Sequence, residues 1–88
     1  MRLNAAAGRL ERDEAGQVVF ADYRRGEGRL ILDHVEAPIA LRGSGAAGRL
    51  MEEIAAYARE HELLIVPLCG YAAHWLRRKS EHSDLVAP

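Results

Sequence analysis

The chain contains a single cysteine, Cys69, among its 88 residues. One cysteine excludes an internal disulfide and every zinc site that is built from paired cysteines. No apolar stretch is long enough to cross a bilayer, and the first residues include no apolar segment of signal-peptide length. The formal net charge is only −1, so no overall field attracts nucleic acid or an acidic membrane. We therefore expect a cytoplasmic protein with neither nucleic acid nor membrane as a partner.

The composition is that of a folded domain, with 49% hydrophobic and 28% charged residues. The length allows one modest hydrophobic core and is too short for two. No internal repeat, linker or low-complexity tract interrupts the chain. We therefore expect a single domain over residues 1–88.

The first third of the chain has the alternation and composition of strands. Residues 8–12 (GRLER) form a weak strand pattern, residues 17–23 are rich in β-branched and aromatic side chains, and residues 29–35 (RLILDHV) are the best strand of the three. Because the glycine-rich connections between these segments are short, the three strands are predicted to form an antiparallel meander. Pro38 ends the pattern.

The hydrophobic period then changes from two to 3.6, which predicts an amphipathic helix from about Gly45 to Glu62. Its apolar face contains Leu50, Met51, Ile54, Ala55, Tyr57 and Ala58. The apolar run 63–68 (LLIVPL) predicts a strand buried on both faces and, after a helical crossover, parallel to residues 29–35. A shorter helix follows over about residues 71–79. The sequence thus predicts an α+β fold: meander, helix, parallel strand, helix.

Glycines and arginines precede the first helix, in the segment LRGSGAAGRLMEEI (41–54). Glycine is a poor helix former, and the positive charges of Arg42 and Arg49 lie unfavourably near a helix start. An anion would reverse that effect, because a helix N-terminus offers unpaired N–H groups and partial positive charge. Gly43 and Gly45 leave those groups open and Ser44 adds a hydroxyl. A flexible loop before a glycine-tolerant helix is the alternative interpretation.

Residues 43–48 also match GxGxxG, the dinucleotide-binding pattern, but their surroundings do not. Pro38 and an irregular segment separate the glycines from the preceding strand. No acidic residue follows at the end of the next strand to bind a ribose, and the chain is too short for a doubly wound domain with a substrate domain. We therefore reject dinucleotide binding.

Three segments together resemble the small, minimal branch of the GCN5-related N-acetyltransferases. Residues 42–47 fit the acetyl-CoA motif (Arg/Gln)-x-x-Gly-x-(Gly/Ala), residues 67–71 fit Pro-x-Cys-x-Tyr, and residues 81–86 fit the end of a C-terminal motif. The matching positions are His34, Pro38, Arg42, Gly43, Gly45, Ala47, Pro67, Cys69, Tyr71, Glu81, Asp84, Leu85 and Val86. The chain departs from the branch at Val35, Ala37, Ser80 and His82.

This resemblance implies a truncated acetyltransferase fold that binds acetyl-CoA in a V-shaped opening between two parallel strands. It implies that the pyrophosphate lies on the backbone N–H groups of Arg42, Gly43, Ser44, Gly45, Ala46, Ala47 and Gly48. It also implies that the pantetheine arm pairs with the main chain of Val35, Glu36 and Ala37, as an added strand would.

Cys69 ends the predicted buried strand and immediately precedes a helix. A helix start favours the thiolate, so this position suits a reactive cysteine. A lone cysteine is more often a small buried hydrophobic residue. In the minimal branch this cysteine is considered as a nucleophile; we predict that Cys69 lies beside the thioester, either accepting the acetyl group or protonating the departing thiol.

Transfer to an amine requires a base that removes the amine proton. Histidine is the side chain type that suits base catalysis near neutral pH, and His34 lies on the strand that the resemblance assigns to pantetheine, so it is the first candidate, with Glu36 second. A histidine on a strand more often makes only a hydrogen bond.

The other titratable residues give weaker signals. His61, His74 and His82 have no metal-ligand spacing with one another or with Cys69, so no metal site is predicted. The basic run Arg77-Arg78-Lys79 either meets the 3′-phosphate of CoA or is a solvated helix end that the helix dipole favours.

Two functions remain open at this point. The first is an acetyl-CoA-dependent N-acetyltransferase whose amine acceptor is a peptide, a polyamine or a metabolite; the second is an acetyl-CoA-binding regulatory module with little catalysis. The chain has no room for the extra helices that larger relatives place before the meander. We therefore expect the acceptor side to be open, completed by a partner or a second copy in a homodimer, or degenerate.

Overall fold

A computed structural model describes residues 1–88 and contains one five-stranded sheet with two α-helices. The α+β class predicted from the sequence is confirmed. The strands are β1 (Arg2–Asn4), β2 (Arg9–Glu14), β3 (Gln17–Gly26), β4 (Arg29–Glu36) and β5 (Leu64–Pro67). The helices are α1 (Ala46–Glu60) and α2 (Gly70–Arg78), and short 3-10 segments cover Ile39–Leu41 and Ser80–Leu85.

The sheet follows chain order, β1-β2-β3-β4-β5, with antiparallel pairs up to β4 and a parallel pair between β4 and β5. Strand β1 lies outside the predicted meander, and the Arg2 guanidinium ties it to β2 through Glu11 and Asp13. Strand β3 is longer than predicted because the chain reverses in two residues, Glu27 and Gly28. Gly28 has φ +71°, which glycine adopts without the steric cost of a side chain.

Helix α1 buries the apolar face that its period predicts. The buried residues of α1 are Ala46, Leu50, Met51, Ile54, Ala55 and Ala58, and Tyr57 is half-buried. They join Leu10, Val19 and Leu32 of the sheet in a single core of 18 buried residues. Burying each large aliphatic side chain contributes about 1.5–3 kcal/mol. The contact between α1 and the sheet therefore supplies much of the stability of a domain this small.

Helix α1 ends without a glycine. Glu62 adopts a left-handed φ of +54°, and the Leu63 N–H donates to the Ala58 carbonyl at 2.8 Å. This six-to-one hydrogen bond closes the helix and directs the chain into β5. Neither α-helix has the length and apolar character that crossing a membrane requires.

The prediction that β5 is buried on both faces is wrong. Ile65 is fully buried, whereas Leu64, Val66 and Pro67 are only partly buried. Side chains alternate along a strand, and the sheet shares one core with both helices, so the residues that point away from that core are incompletely covered. The outer edge of β5 is covered instead by the C-terminal segment, where the Ala87 N–H donates to the Ile65 carbonyl at 2.8 Å.

Candidate functional site

The parallel strands β4 and β5 separate at their carboxyl ends. Their last register pair is Leu32 with Pro67, and the Leu68 N–H donates to the Leu32 carbonyl at 3.0 Å. Beyond that point, from Asp33 to Glu36, β4 pairs with β3 only. The register of β3 against β4 also shifts at this position, between Asp22 and Tyr23. One edge of β4 is thus open to an extended ligand that could pair with it as a strand does.

The residues predicted to contact pantetheine lie at this open edge or directly after it. Val35 directs its side chain into the core and is 8% exposed, whereas Glu36 is exposed. Ala37 is half-buried and leads towards the glycine loop, which we define as residues 42–48. A ligand that paired with this edge would contact the backbone of these residues. Their side chains therefore need no common chemical type, and the sequence gives little sign of the site.

The glycine loop is held by its serine. The Ser44 hydroxyl donates to the Leu41 carbonyl at 2.6 Å and accepts from the Ala46 N–H at 3.3 Å. Gly43 and Gly45 on either side have φ values of +81° and +87°, a region that residues with a side chain rarely adopt. The sequence therefore folds here into a tight turn whose conformation depends on glycine at two alternate positions.

Four backbone N–H groups in the glycine loop have no hydrogen-bond acceptor in the protein. They belong to Gly43, Gly45, Ala47 and Gly48, whereas those of the intervening residues and Arg49 are paired. Two of the four precede α1 and two lie in its first turn. Free donors at a helix start, together with the partial positive charge of that helix end, form a site that favours an anion.

These donors border a cavity of about 330 Å³. Its lining consists of Ala37, Leu41, Arg42, Gly43, Gly45, Ala46, Ala47, Gly48 and Tyr71. The structure thus brings together most of the predicted binding residues. Val35, Glu36 and Ser44 do not line the cavity. Ser44 instead stabilises the glycine loop through its two hydrogen bonds. Leu41 and Tyr71 complete the wall and were not predicted as site residues.

Tyr71 reaches this cavity from α2, across the contact between the two helices. A Cβ atom placed on Gly48 would lie 3.8 Å from the Tyr71 hydroxyl and 3.5 Å from the Trp75 indole nitrogen. Gly48 thus lies where the two helices meet, beside the cavity. The pKa of Tyr71 is raised mainly by partial burial and, to a smaller extent, by the negative charge of a Cys69 thiolate. The only sequence signal for Tyr71 was its place in Pro-x-Cys-x-Tyr.

The two arginines of this region differ in their partners. Arg49 makes a bidentate ion pair with Glu14 of β2. Its Nη2 and Nε atoms lie 2.6 and 2.8 Å from the two carboxylate oxygens, and Nη2 also donates to the Ser44 carbonyl. The Arg49 and Arg12 guanidinium groups that bond to Glu14 lower the pKa of that carboxyl to about 2. Arg42 lines the cavity and has no carboxylate partner. The unfavourable charge of Arg49 at the helix start is therefore neutralised within the protein, and that of Arg42 is not.

The two predicted catalytic residues lie on different elements. Cys69 immediately precedes α2, is half-buried and packs against the core. His34 is 52% exposed on β4, 3.2 Å from Glu36 and edge-on to the ring of Phe20. Neither residue lines the cavity of the glycine loop. No group of three or more His, Cys, Asp or Glu side chains is arranged to hold a metal ion.

Comparison with protein families gives one finding. A family model described as GCN5-related N-acetyl-transferase matches residues 9–85, which is nearly the whole chain. No curated protein matched the sequence significantly.

Proposed function

Because the chain belongs to the GCN5-related N-acetyltransferase family, as a minimal member, we propose that it transfers an acetyl group from acetyl-CoA to an amine. The family supports acetyl transfer in general.

The observation that carries the proposal is the set of four free N–H groups beside the cavity. Their chemistry fits a pyrophosphate, since Gly43 and Gly45 leave room for close approach and Arg42 supplies an unpaired cation. The open edge of β4 begins a few residues earlier and fits the amide-bearing pantetheine arm. An anion site and an open strand edge, joined by Ala37, match two consecutive parts of one long cofactor, its pyrophosphate and its pantetheine arm.

Acetyl-CoA supplies an acetyl group activated as a thioester. In the transfer a carbon–nitrogen bond to the amine forms, the carbon–sulfur bond breaks, the amine loses a proton and the thiolate gains one. The protein must therefore orient the thioester, receive one proton and supply another.

For the proton that leaves the amine, we propose His34 as the base, with Glu36 as the alternative. The two side chains are 3.2 Å apart and exposed at the open end of β4, so an acceptor can reach them. A His34→Gln variant should lose the acidic limb of the kcat/KM profile against pH, because a base works only when unprotonated. His61→Gln, at the far end of α1, is the matched control; an unchanged profile in His34→Gln would exclude this role.

For Cys69 we propose a place beside the thioester, in one of two roles. Either its thiolate attacks the acetyl carbon, releases CoA and passes the acetyl group to the amine, or its thiol protonates the departing thiolate. Mixing the protein with acetyl-CoA, quenching in acid and measuring the intact mass distinguishes them, because only the first role adds an acetyl group. Full activity of Cys69→Ala together with no acetylated protein would exclude both roles.

The central experiment is titration calorimetry with CoA and acetyl-CoA, followed by turnover on peptides, polyamines and small amines with detection of free thiol. We expect a Kd between about 1 μM and 1 mM, the range of common enzyme–substrate affinities, and thiol release that depends on the acceptor. Binding without turnover would instead indicate the regulatory module. No binding of either ligand by folded protein would exclude both functions.

The turnover measurements identify the acceptor class, whereas the oligomeric state needs a measurement of its own. Ile39 and Leu68, near the carboxyl ends of β4 and β5, are 80% and 61% exposed. A second copy or a partner that completes the acceptor side would cover such residues. Light scattering with and without acetyl-CoA tests for a homodimer.

A further inference from the structure

A second cavity, of about 350 Å³, adjoins the first along α2. Its lining consists of Tyr71, His74, Trp75, Arg78 and Lys79. Tyr71 is part of both linings, so the two cavities share a wall. The Trp75 indole nitrogen also lies against Gly48, which links this cavity to the helix start that carries the free N–H groups.

The second cavity carries more positive charge than its surroundings neutralise. Arg78 and His74 form no ion pair. Lys79 lies 4.0 Å from Glu52 and 5.5 Å from the centre of the Trp75 ring. Glu52 also bonds to His82 at 2.8 Å, so Lys79 shares its carboxylate partner with a second residue. An exposed cavity that carries the unpaired Arg78 guanidinium and a lysine whose carboxylate partner is shared favours a multiply charged anion.

We propose that Arg78 and Lys79 bind the 3′-phosphate of coenzyme A in this second cavity. The inference rests on the proposed function, which places the pyrophosphate in the first cavity. In CoA the 3′-phosphate is separated from the pyrophosphate by a single ribose, so an anion site next to the glycine loop is where this group falls. Tyr71 lies between the two anionic groups, and Trp75 offers an indole nitrogen as a further donor.

The structure separates the basic run into two parts. Arg77, one residue before Arg78, lines a different cavity with Pro67 and Leu76 and shares no wall with the glycine loop. The run therefore acts not as a uniform basic helix end but through Arg78 and Lys79. Arg77 thus provides a control with the same side chain, the same helix and almost the same distance from the helix end.

The first test compares CoA with dephospho-CoA, which differs only in the 3′-phosphate, by titration calorimetry of the unmodified protein. We expect dephospho-CoA to bind about fivefold to tenfold more weakly, with the difference shrinking as salt is raised. Equal affinities would overturn the inference and leave the proposed function intact. Failure of both ligands to bind would overturn the proposed function, and the inference with it.

The second test repeats the comparison in Arg78→Gln and in Arg77→Gln, with thermal unfolding to verify that each variant is folded. Arg78→Gln should reduce the ratio of the two Kd values to about twofold by weakening CoA alone, and Arg77→Gln should preserve the wild-type ratio. Equal weakening of both ligands by Arg78→Gln would overturn the assignment. So would the same loss of discrimination in both variants, since that would indicate only a general basic surface.

Discussion

The arginines between β2 and α1 have carboxylate partners, whereas those around the two adjoining cavities do not. Arg12 bonds to Glu14 and Glu53, and Arg49 bonds to Glu14. Arg42 and Arg78, which line the cavities, form no ion pair. Arginine thus joins helix α1 to the sheet through ion pairs in one region, and in the other region it remains free to bind an anionic ligand.

This difference separates charge that stabilises the fold from charge that can serve a ligand. An unpaired arginine alone is not enough, because Arg25 and Arg29 beside the β3–β4 turn are also unpaired and line no cavity. What distinguishes the cavity region is the coincidence of unpaired cations with free backbone N–H groups and an open strand edge. Substitutions should therefore affect stability in one region and binding in the other.

The largest effect is expected from Gly43→Val. The φ of Gly43 is +81° and nothing lies within 4 Å of an added Cβ, so the variant folds with strain of about 1–2 kcal/mol. Its side chain would occupy the approach to the free N–H groups. We expect CoA to bind at least about tenfold more weakly, measured by titration calorimetry.

Gly28→Val is the matched control for that variant. Gly28 has φ +71° and equally open surroundings, but it lies in the β3–β4 turn, far along the chain from the glycine loop. Both variants should lower the Tm by a similar amount, about 4–8 °C per kcal/mol for a domain of this size. A loss of CoA affinity in Gly28→Val as large as in Gly43→Val would show that strain, not blocked access, is responsible.

A smaller and reciprocal effect is expected from two arginine substitutions. Arg42→Gln removes the unpaired cation and should weaken CoA binding about fivefold with no change in Tm, an effect that higher salt reduces. Arg12→Gln removes bonds to Glu14 and Glu53 and should lower the Tm with no change in the Kd for CoA. If the two variants instead shift Tm and Kd in parallel, the proposed division between the regions is wrong.

The parts of this molecule that the sequence predicted are those set by local residues. The apolar period of α1 specifies its buried face because every third or fourth residue meets the sheet. The glycine loop could be predicted because a left-handed φ at Gly43 and Gly45 requires a particular residue type at each position.

The parts that the sequence did not predict depend on contacts between distant residues. The pairing of Arg49 with Glu14 joins positions 35 residues apart, and without it Arg49 looked like a ligand for an anion. Strand β1 has only three residues and no alternating pattern, and it is held through Arg2. Tyr71 enters the cavity wall only because α1 and α2 pack together at Gly48.

The smallest effect is expected from acid, and it concerns the region between β2 and α1. The pKa of Glu14 is about 2 in the folded protein because Arg49 and Arg12 stabilise its charged form. An unfolded chain binds this proton at about pH 4.5, so the stabilisation is complete above that pH and is lost as the pH falls towards 2.

In Glu14→Gln the Tm at pH 7 should fall by a few degrees and its decline between pH 5 and pH 2.5 should be shallower, as followed by circular dichroism. Glu27→Gln, in a turn where the side chain makes no bond, should follow the wild-type curve. Identical slopes for Glu14→Gln and the wild type would mean that these arginines do not stabilise the fold through Glu14, and the contrast between paired and unpaired arginines would then lose its energetic basis.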